Sequence, residues 1–385
     1  MSKFTGCFVF LFCLMVIDGY SMWQRATKHN LNAIVWTGDQ YVCVGDSGTV
    51  LKSHDGYTWI QVPFPASDDL KSIKKLDTML LIKSGNAGSY FLTNSLLQTF
   101  EAKSNVVFND DSLTYFDQSI FFIDTFNTPF EVSHKIARFS PKVSQSPVST
   151  VWIPDYEDLS KDFIRLWSIA SSPARIVACG EYTTENPDGS GKLNVFVISS
   201  ADGTNWDTIE LPSLLNIRKV LWTGEQFIAC GGWGLAFSED GIQWQPFTFH
   251  TNLDTRRCLY GYGKLLNSDS YAVYTINGTS VLDTFLVAKR WFQSEDFTVS
   301  ATAISLSAAV SVGNSGNIAV FSDTEKQWVK CTTSITSNLN DICSNGKMFV
   351  TAGDQGCIAV SSDGKSWEHS VLLYKDTTLS SFHLQ

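Results

Sequence analysis

The chain has 385 residues, 44% of them hydrophobic, 13% aromatic and only 17% charged, with a formal net charge of -10. So many aromatic and so few charged side chains exclude a disordered chain, because the apolar surface available for burial offsets the entropy of ordering. The 38 acidic against 28 basic side chains, with no Lys/Arg run, exclude a polybasic nucleic-acid binder, which needs a positive face to neutralise phosphates.

Residues 1–21 read as a secretory signal, with Lys3 as the positive start, an apolar run from Cys7 to Ile17, and the small residues Gly19 and Ser21 at the cleavage subsites. An apolar run of about eleven residues is shorter than the ~20 that a membrane-crossing helix needs. No later stretch is long enough, and Thr377–Gln385 lacks the apolar tail of a lipid-anchor signal. The expectation is a secreted or luminal chain without a membrane span, beginning near Met22 and forming one domain over 22–385. Asn277-Gly278-Thr279 is the single N-glycosylation sequon and fits that compartment.

Alternating apolar strands and tight turns then follow one another without helical periodicity. Asn32–Trp36, the turn Thr37-Gly38-Asp39-Gln40 and Tyr41–Val44 form a first hairpin; Lys219–Trp222, Thr223-Gly224-Glu225-Gln226 and Phe227–Cys230 repeat it. Leu339–Cys343, Ser344-Asn345-Gly346-Lys347 and Met348–Val350 repeat it again. Gly and Asn stand between these runs because positive φ costs them least. A second Gly-rich turn follows in Gly45-Asp46-Ser47-Gly48, Gly231-Gly232-Trp233-Gly234, Gly313-Asn314-Ser315-Gly316 and Gly353-Asp354-Gln355-Gly356.

A third apolar strand leads from each of these turns to a signature, Ser-x-Asp-Gly-x-x-Trp, which occurs intact at 53–59, 200–206, 238–244 and 361–367 and in degenerate form from Ser322-Asp323 to Trp328. The repeat period is about forty residues, the length of a four-stranded blade. First strands near Asn32, Leu70, Leu113, Arg165, Arg218, Arg257, Ala301 and Leu339 make eight units. The fold class is therefore all-β, a single β-propeller of four-stranded antiparallel blades, with eight blades expected and seven as the alternative. Trp23–Thr27 resembles an unattached fourth strand and is expected to close the ring by completing the last blade.

At these signatures the chain resembles the Asp-box, or BNR, repeat family of the sialidase-like superfamily, and is similar to photosystem II stability/assembly-factor-like repeats. The resemblance spans about residues 22 to 375 and implies a propeller; it departs from the sialidase box by lacking one residue between Asp and Gly. It also implies that the box lies away from any catalytic face. Asp55, Asp202, Asp240 and Asp363 are accordingly read as turn residues whose carboxylates accept backbone N–H groups, with Trp59, Trp206, Trp244 and Trp367 packing between sheets.

The second Gly-rich turn emerges at the opposite end of the blade from the box. Asp46, Glu181, Asn314 and Asp354 occupy one equivalent position there, with Tyr182 and Trp233 beside it, and are the candidate ligand-binding residues at the channel mouth. A sialidase would need an arginine cluster, an acid/base Asp and a Tyr nucleophile, and the Arg-Ile-Pro segment typical of that family is absent. No catalytic residue, metal site or cofactor is assigned, since the six His residues lack metal spacing and no phosphate loop or nucleophile elbow occurs. Two functions remain open: a non-catalytic, monomeric binding platform for a protein or glycan, and a glycoside hydrolase or lyase using the acidic mouth.

Of the nine cysteines, Cys7 and Cys13 leave with the signal, so the remaining seven cannot all pair. Cys43, Cys179 and Cys230 recur at one strand position and are read as buried core thiols. Any disulfide would come from Cys258, Cys331, Cys343 and Cys357.

Overall fold

The alternating runs pair as eight four-stranded antiparallel sheets, each built from strands consecutive in sequence except for one addition described below. The computed structural model describes residues 27–85, 89–103, 112–127, 132–140, 149–152, 162–186, 188–212, 215–248, 258–267, 272–277, 280–286, 297–322 and 327–375. The first strands of the blades are Leu31–Trp36, Leu70–Leu76, Leu113–Phe116, Asp162–Ser171, Ile217–Trp222, Cys258–Gly261, Val299–Ile304 and Leu339–Ser344. All eight stand where the repeat places them. Neighbouring first strands lie against one another, so they form the wall of the central channel.

Second strands such as Tyr41–Gly45, Phe227–Gly231, Ala309–Gly313 and Phe349–Gly353 are buried along their whole length. A strand covered on both faces by adjacent blades has no solvent side, and its sequence is correspondingly apolar or small, with Ser311 and Thr351 the polar exceptions in these four, rather than alternating. The core is thus a set of interfaces between blades. One of them joins Leu31, Tyr41, Leu51 and Trp59 of blade 1 to Val350, Ala352 and Val360 of blade 8.

The Ser-x-Asp-Gly-x-x-Trp turns join third to fourth strands in blades 1, 4, 5 and 8. In blade 1, Asp55 Oδ1 accepts the N–H groups of Tyr57 (2.9 Å) and Thr58 (2.7 Å) and the Ser53 hydroxyl (3.0 Å), while Trp59 Nε1 donates to the Gly56 carbonyl at 2.8 Å. Asp202, Asp240 and Asp363 make the corresponding bonds. The Gly of each turn has positive φ, 77° at Gly56 and 72° at Gly203, and a Cβ there would press on the preceding blade: on Val350 from Gly56 and on Phe121 from Gly203. These are local turn devices that also set how closely blades approach.

The last blade has a fourth strand, Glu368–His369, near the end of the chain. The following strand, Val371–Lys375, crosses to blade 1 and pairs in parallel with Thr58–Val62, making that sheet five-stranded. Ser370 Oγ donates to the Gly56 carbonyl at 2.8 Å on the way. An outer edge left open would expose unpaired backbone, and this strand covers one. Residues 23–26 of the expected closing strand lie outside the described residues, as does the signal segment.

All seven described cysteines are free thiols. Burial pushes the Cys43, Cys230 and Cys343 thiols well up and Cys179 to about 12, which keeps them protonated and inert. Asn277 ends a strand of blade 6 and pairs with Ser280, so the sequon lies on the hairpin where other blades carry their Asp turn; Gly278 and Thr279 are outside the described residues. Among the described residues no helix is long and apolar enough to cross a membrane.

Candidate ligand site at the channel mouth

Six of the first strands share a register shift after an apolar residue: Leu31/Ala33, Leu70/Ser72, Leu166/Ser168, Ile217/Lys219, Val299/Ala301 and Leu339/Asp341. A β-bulge leaves one residue unpaired and re-aims its side chain. The residues so freed are Asn32, Lys71, Trp167, Arg218, Ser300 and Asn340. Those of blades 1, 2 and 8 meet the Gly-rich turns between second and third strands.

In blade 1 the Asp46 carboxylate accepts Asn30 Nδ2 at 3.0 Å, Asn32 Nδ2 at 2.8 Å and Lys71 Nζ of blade 2 at 3.2 Å. Its burial works against the charged form, but the Asn32 amide and the Lys71 ammonium outweigh that and hold the carboxyl below the usual range. Asn32 also donates to the Leu70 carbonyl of blade 2 at 2.8 Å. Blade 8 repeats this arrangement: Asp354 accepts Asn338 and Asn340, both at 2.9 Å, and Asn340 donates to the Leu31 carbonyl of blade 1.

The tight 3-10 turns add a second stitch. Ser47, Ser315 and Gln355 sit at their centres in the left-handed region, and their N–H groups reach Asp69, Asn338 and Asn30 of the following blade at 2.9 to 3.1 Å. Asn314 Oδ1 accepts the Thr298 N–H of its own blade at 2.7 Å. Three of the predicted mouth residues, Asp46, Asn314 and Asp354, therefore have side-chain oxygens engaged by donors of their own blades, and Asp46 also reaches the next blade through Lys71.

Blades 4 and 5 depart from this pattern. The second and third strands of blade 4, Ile176–Glu185 and Gly191–Ser200, run ten residues each and carry their hairpin past the point where other blades turn. Glu181 stands at the Asp46 position but inside a strand, paired with Arg165 and Val195. Tyr182 follows it, buried, with its hydroxyl on Glu210 and its ring beside Phe196. It is a core side chain rather than an open stacking surface. In blade 5 the position of Asp46 is held by Gly232, which has no carboxylate to offer.

The polar groups that would have made the stitch are left over. Glu181 is 7% exposed; its Oε1 lies 3.9 Å from Arg218 Nη2, beyond hydrogen-bond reach, and its Oε2 has no partner. Arg218 stacks on the Trp167 indole at 4.5 Å from the ring centroid, which orients the guanidinium. Trp167 Nε1, Asn216 Oδ1 and Arg218 Nε are likewise buried and without partners. Asn216 occupies the place of Asn30, whose oxygen accepts a turn N–H of the preceding blade; the extended hairpin of blade 4 has no such turn. Trp233, next to Gly232, is 41% exposed at the tip of the blade 5 turn.

The chemistry-bearing positions the repeat missed are the bulge residues, above all Arg218 and Trp167. Their signal is positional: each follows an apolar residue near the start of an inner strand, as in Leu31-Asn32, Ile217-Arg218 and Leu339-Asn340. Among the described residues no group of three or more His, Cys, Asp or Glu side chains is arranged to hold a metal ion.

No protein-family model matches the chain, and no curated protein matches it. Solved structures are similar to it in layout. The computationally designed Ika8 protein aligns with a TM-score of 0.49 at 9% identity, over 88% of this chain and 98% of that one. YCF48 bound to D1 peptide gives 0.38 at 16% identity over 88% and 92%, and the WD40 beta propeller domain of Doa1 gives 0.38 at 11% identity over 89% and 97%. The eight-bladed architecture rests on the strand pairing itself.

Proposed function

We propose that the protein is a secreted, non-catalytic propeller of the Asp-box type that binds a protein or glycan partner at its channel mouth, in the sector of blades 4 and 5. The observation that carries this reading is the half-open indole of Trp233 beside a sector in which Glu181 Oε2, Arg218 Nε and Asn216 Oδ1 have no hydrogen-bond partner and Glu181 meets Arg218 only at 3.9 Å. Exposed aromatic surface next to partnerless polar groups is the composition of a binding patch. The hydrolytic alternative needs two carboxyl groups facing a substrate. Asp46 and Asp354 are instead held by amides of their own blades, which favours binding over turnover.

The test is a glycan array together with proximity labelling, using the protein secreted from cells with its own signal segment. A partner whose capture is lost in Trp233→Ala and in Arg218→Ala supports the reading. Full retention by both variants overturns it, and turnover of any arrayed glycan would revive the hydrolase. Amino-terminal sequencing of the secreted chain is expected to begin near Met22. A glycosidase-sensitive mass shift is expected to vanish in Asn277→Gln.

A further inference from the structure

The bulge residues of the mouth stand toward the start of the first strands, and the same strands run on to a different lining at the other end of the channel. There the later residues of the first strands of blades 2 to 5 line a cavity of about 380 Å3. Its walls are tied from blade to blade: Lys74 Nζ donates to the Leu113 carbonyl at 3.1 Å, Ser171 Oγ to the Tyr115 carbonyl at 2.8 Å and Ser168 Oγ to the Val220 carbonyl at 3.3 Å. Walls already tied in place lose little freedom when a ligand enters. Lys74 thus serves the wall, and the Lys75 ammonium lies beside Gly38 of blade 1, which leaves the aromatic and oxygen-bearing side chains to select the ligand.

Among the described residues, the Asp77 carboxylate, the Tyr115 hydroxyl and the Trp222 indole N–H belong to this lining and have no hydrogen-bond partner. Asp77 is exposed, on the left-handed turn that follows the first strand of blade 2, with φ of 53°. Tyr115 of blade 3 is half-buried; burial and then the Asp77 and Asp117 carboxylates raise its phenol above the ordinary value, so it stays a hydroxyl that both donates and accepts. Trp222 of blade 5 is half-buried too, and Phe227 holds it at 4.7 Å between ring centroids. A phenol and an indole therefore share one cavity from two blades apart, with a carboxylate near the phenol.

We propose that this cavity binds an uncharged sugar of mono- or disaccharide size. A pyranose has an apolar face of C–H groups, which settles on the electron-rich face of an aromatic ring. It also has a rim of hydroxyls, each both donor and acceptor, whose burial is costly unless they are paired. A carboxylate that accepts from neighbouring hydroxyls, a phenol that gives and accepts and an indole N–H that gives meet that mixed demand. The volume falls within the range of small-molecule sites. A purely aromatic ligand would use the rings and leave the carboxylate without a donor. The cavity is separate from the Trp233 sector of the mouth, and the proposal does not rest on the partner-binding reading above.

The test is calorimetric titration of the secreted protein with glucose, galactose, mannose, N-acetylglucosamine, lactose and maltose, beside indole as the aromatic control. At least one sugar is expected to bind with a dissociation constant of about 5 mM or tighter. For that sugar, Asp77→Asn, which keeps a residue suited to the left-handed turn, and Tyr115→Phe, which removes only the hydroxyl, are each expected to weaken binding about three- to tenfold. Trp222→Leu is expected to weaken it at least about tenfold, and Trp233→Ala to leave it unchanged. No sugar reaching that limit, heat from indole alone, or a sugar whose affinity survives both Asp77→Asn and Tyr115→Phe overturns the proposal. Loss of sugar binding in Trp233→Ala alone overturns it as well, while keeping the reading that places a glycan at the mouth.

Discussion

Blades 7, 8, 1 and 2 and blades 4 and 5 use the same positions of one repeat in opposite ways. In blades 1 and 8 of the first sector the acid after the second strand, the bulge residue and the residue two places before it close into a ring of hydrogen bonds that also reaches the next blade, and blade 7 keeps the bond from Thr298 to Asn314. In the second, a longer hairpin has removed the turn, a glycine has replaced the acid, and Trp167 and Arg218 have replaced the asparagines. Donors and acceptors stay unmatched as a result. A propeller thus needs only part of its circumference to be stitched at the mouth, and the unstitched part is where polar groups become available for something else.

The sharpest way to break the stitched sector is through its close-packed glycines. A Cβ on Gly45 would overlap the Asn30 carbonyl oxygen, so Gly45→Ala is expected to cost about 3 kcal/mol or more, measured by chemical denaturation. At Gly232 the nearest atom to such a Cβ is Asn216 Nδ2 at 3.4 Å, so Gly232→Ala is expected to stay within about 0.5 kcal/mol of the parent. Gly231, which stands in blade 5 where Gly45 does, would bring a Cβ as close to the Leu215 carbonyl oxygen, so its cost is expected to match that of Gly45; a large cost at Gly232 would show that the Asp46 position of blade 5 is not open.

Removing the acid is the next effect in size. Asp354→Ala leaves the Asn338 and Asn340 amides without their acceptor and is expected to cost about 1 to 3 kcal/mol. The reverse experiment is smaller and more telling. Gly232→Asp places a carboxylate where Asn216 and Arg218 stand as Asn30 and Asn32 do in blade 1, and is expected to stabilise by about 0.5 to 1.5 kcal/mol. It should also suppress partner binding at the mouth. Destabilisation by Gly232→Asp would show that the leftover groups are not equivalent to the stitched ones.

The pH dependence separates the turn acids from a channel acid. Against the cost of burial, backbone N–H groups hold the Asp55, Asp240 and Asp363 carboxyls below their ordinary range. Their contribution is present above about pH 4, the unfolded value, and is lost as pH falls through the folded values. Asp341 behaves oppositely: burial raises it to about 6 despite the N–H groups of Ile34 and Ile342. Its contribution is complete below about pH 4 and is lost as pH rises through about 6. Thermal melts of Asp341→Asn are expected to lose the upper limb alone; an unchanged profile between these values would assign that limb to another group.

Much of this architecture was legible before any coordinates. The Ser-x-Asp-Gly-x-x-Trp turns, the Gly-rich turns and the largely apolar second strands recur because the blades that carry them meet the same local demands: a left-handed turn residue, a carboxylate for turn N–H groups and two buried faces. Local demands are written in adjacent residues, so eight blades, the free core thiols at Cys43, Cys179 and Cys230, and the turn role of Asp55, Asp202, Asp240 and Asp363 followed from the chain alone. The mouth residues were legible as a set of equivalent positions but not as to what they touch. Asp46 and Asp354 are taken up by asparagines from strands fourteen and sixteen residues earlier, and Tyr182 is buried by an extended hairpin whose length only pairing reveals. The pairing of Val371–Lys375 with blade 1 and the stacking of Arg218 on Trp167 join residues tens to hundreds of positions apart. No periodicity marks such pairs, because the distance between them is set by how many blades close the circle, and that is decided only when the sheets pack.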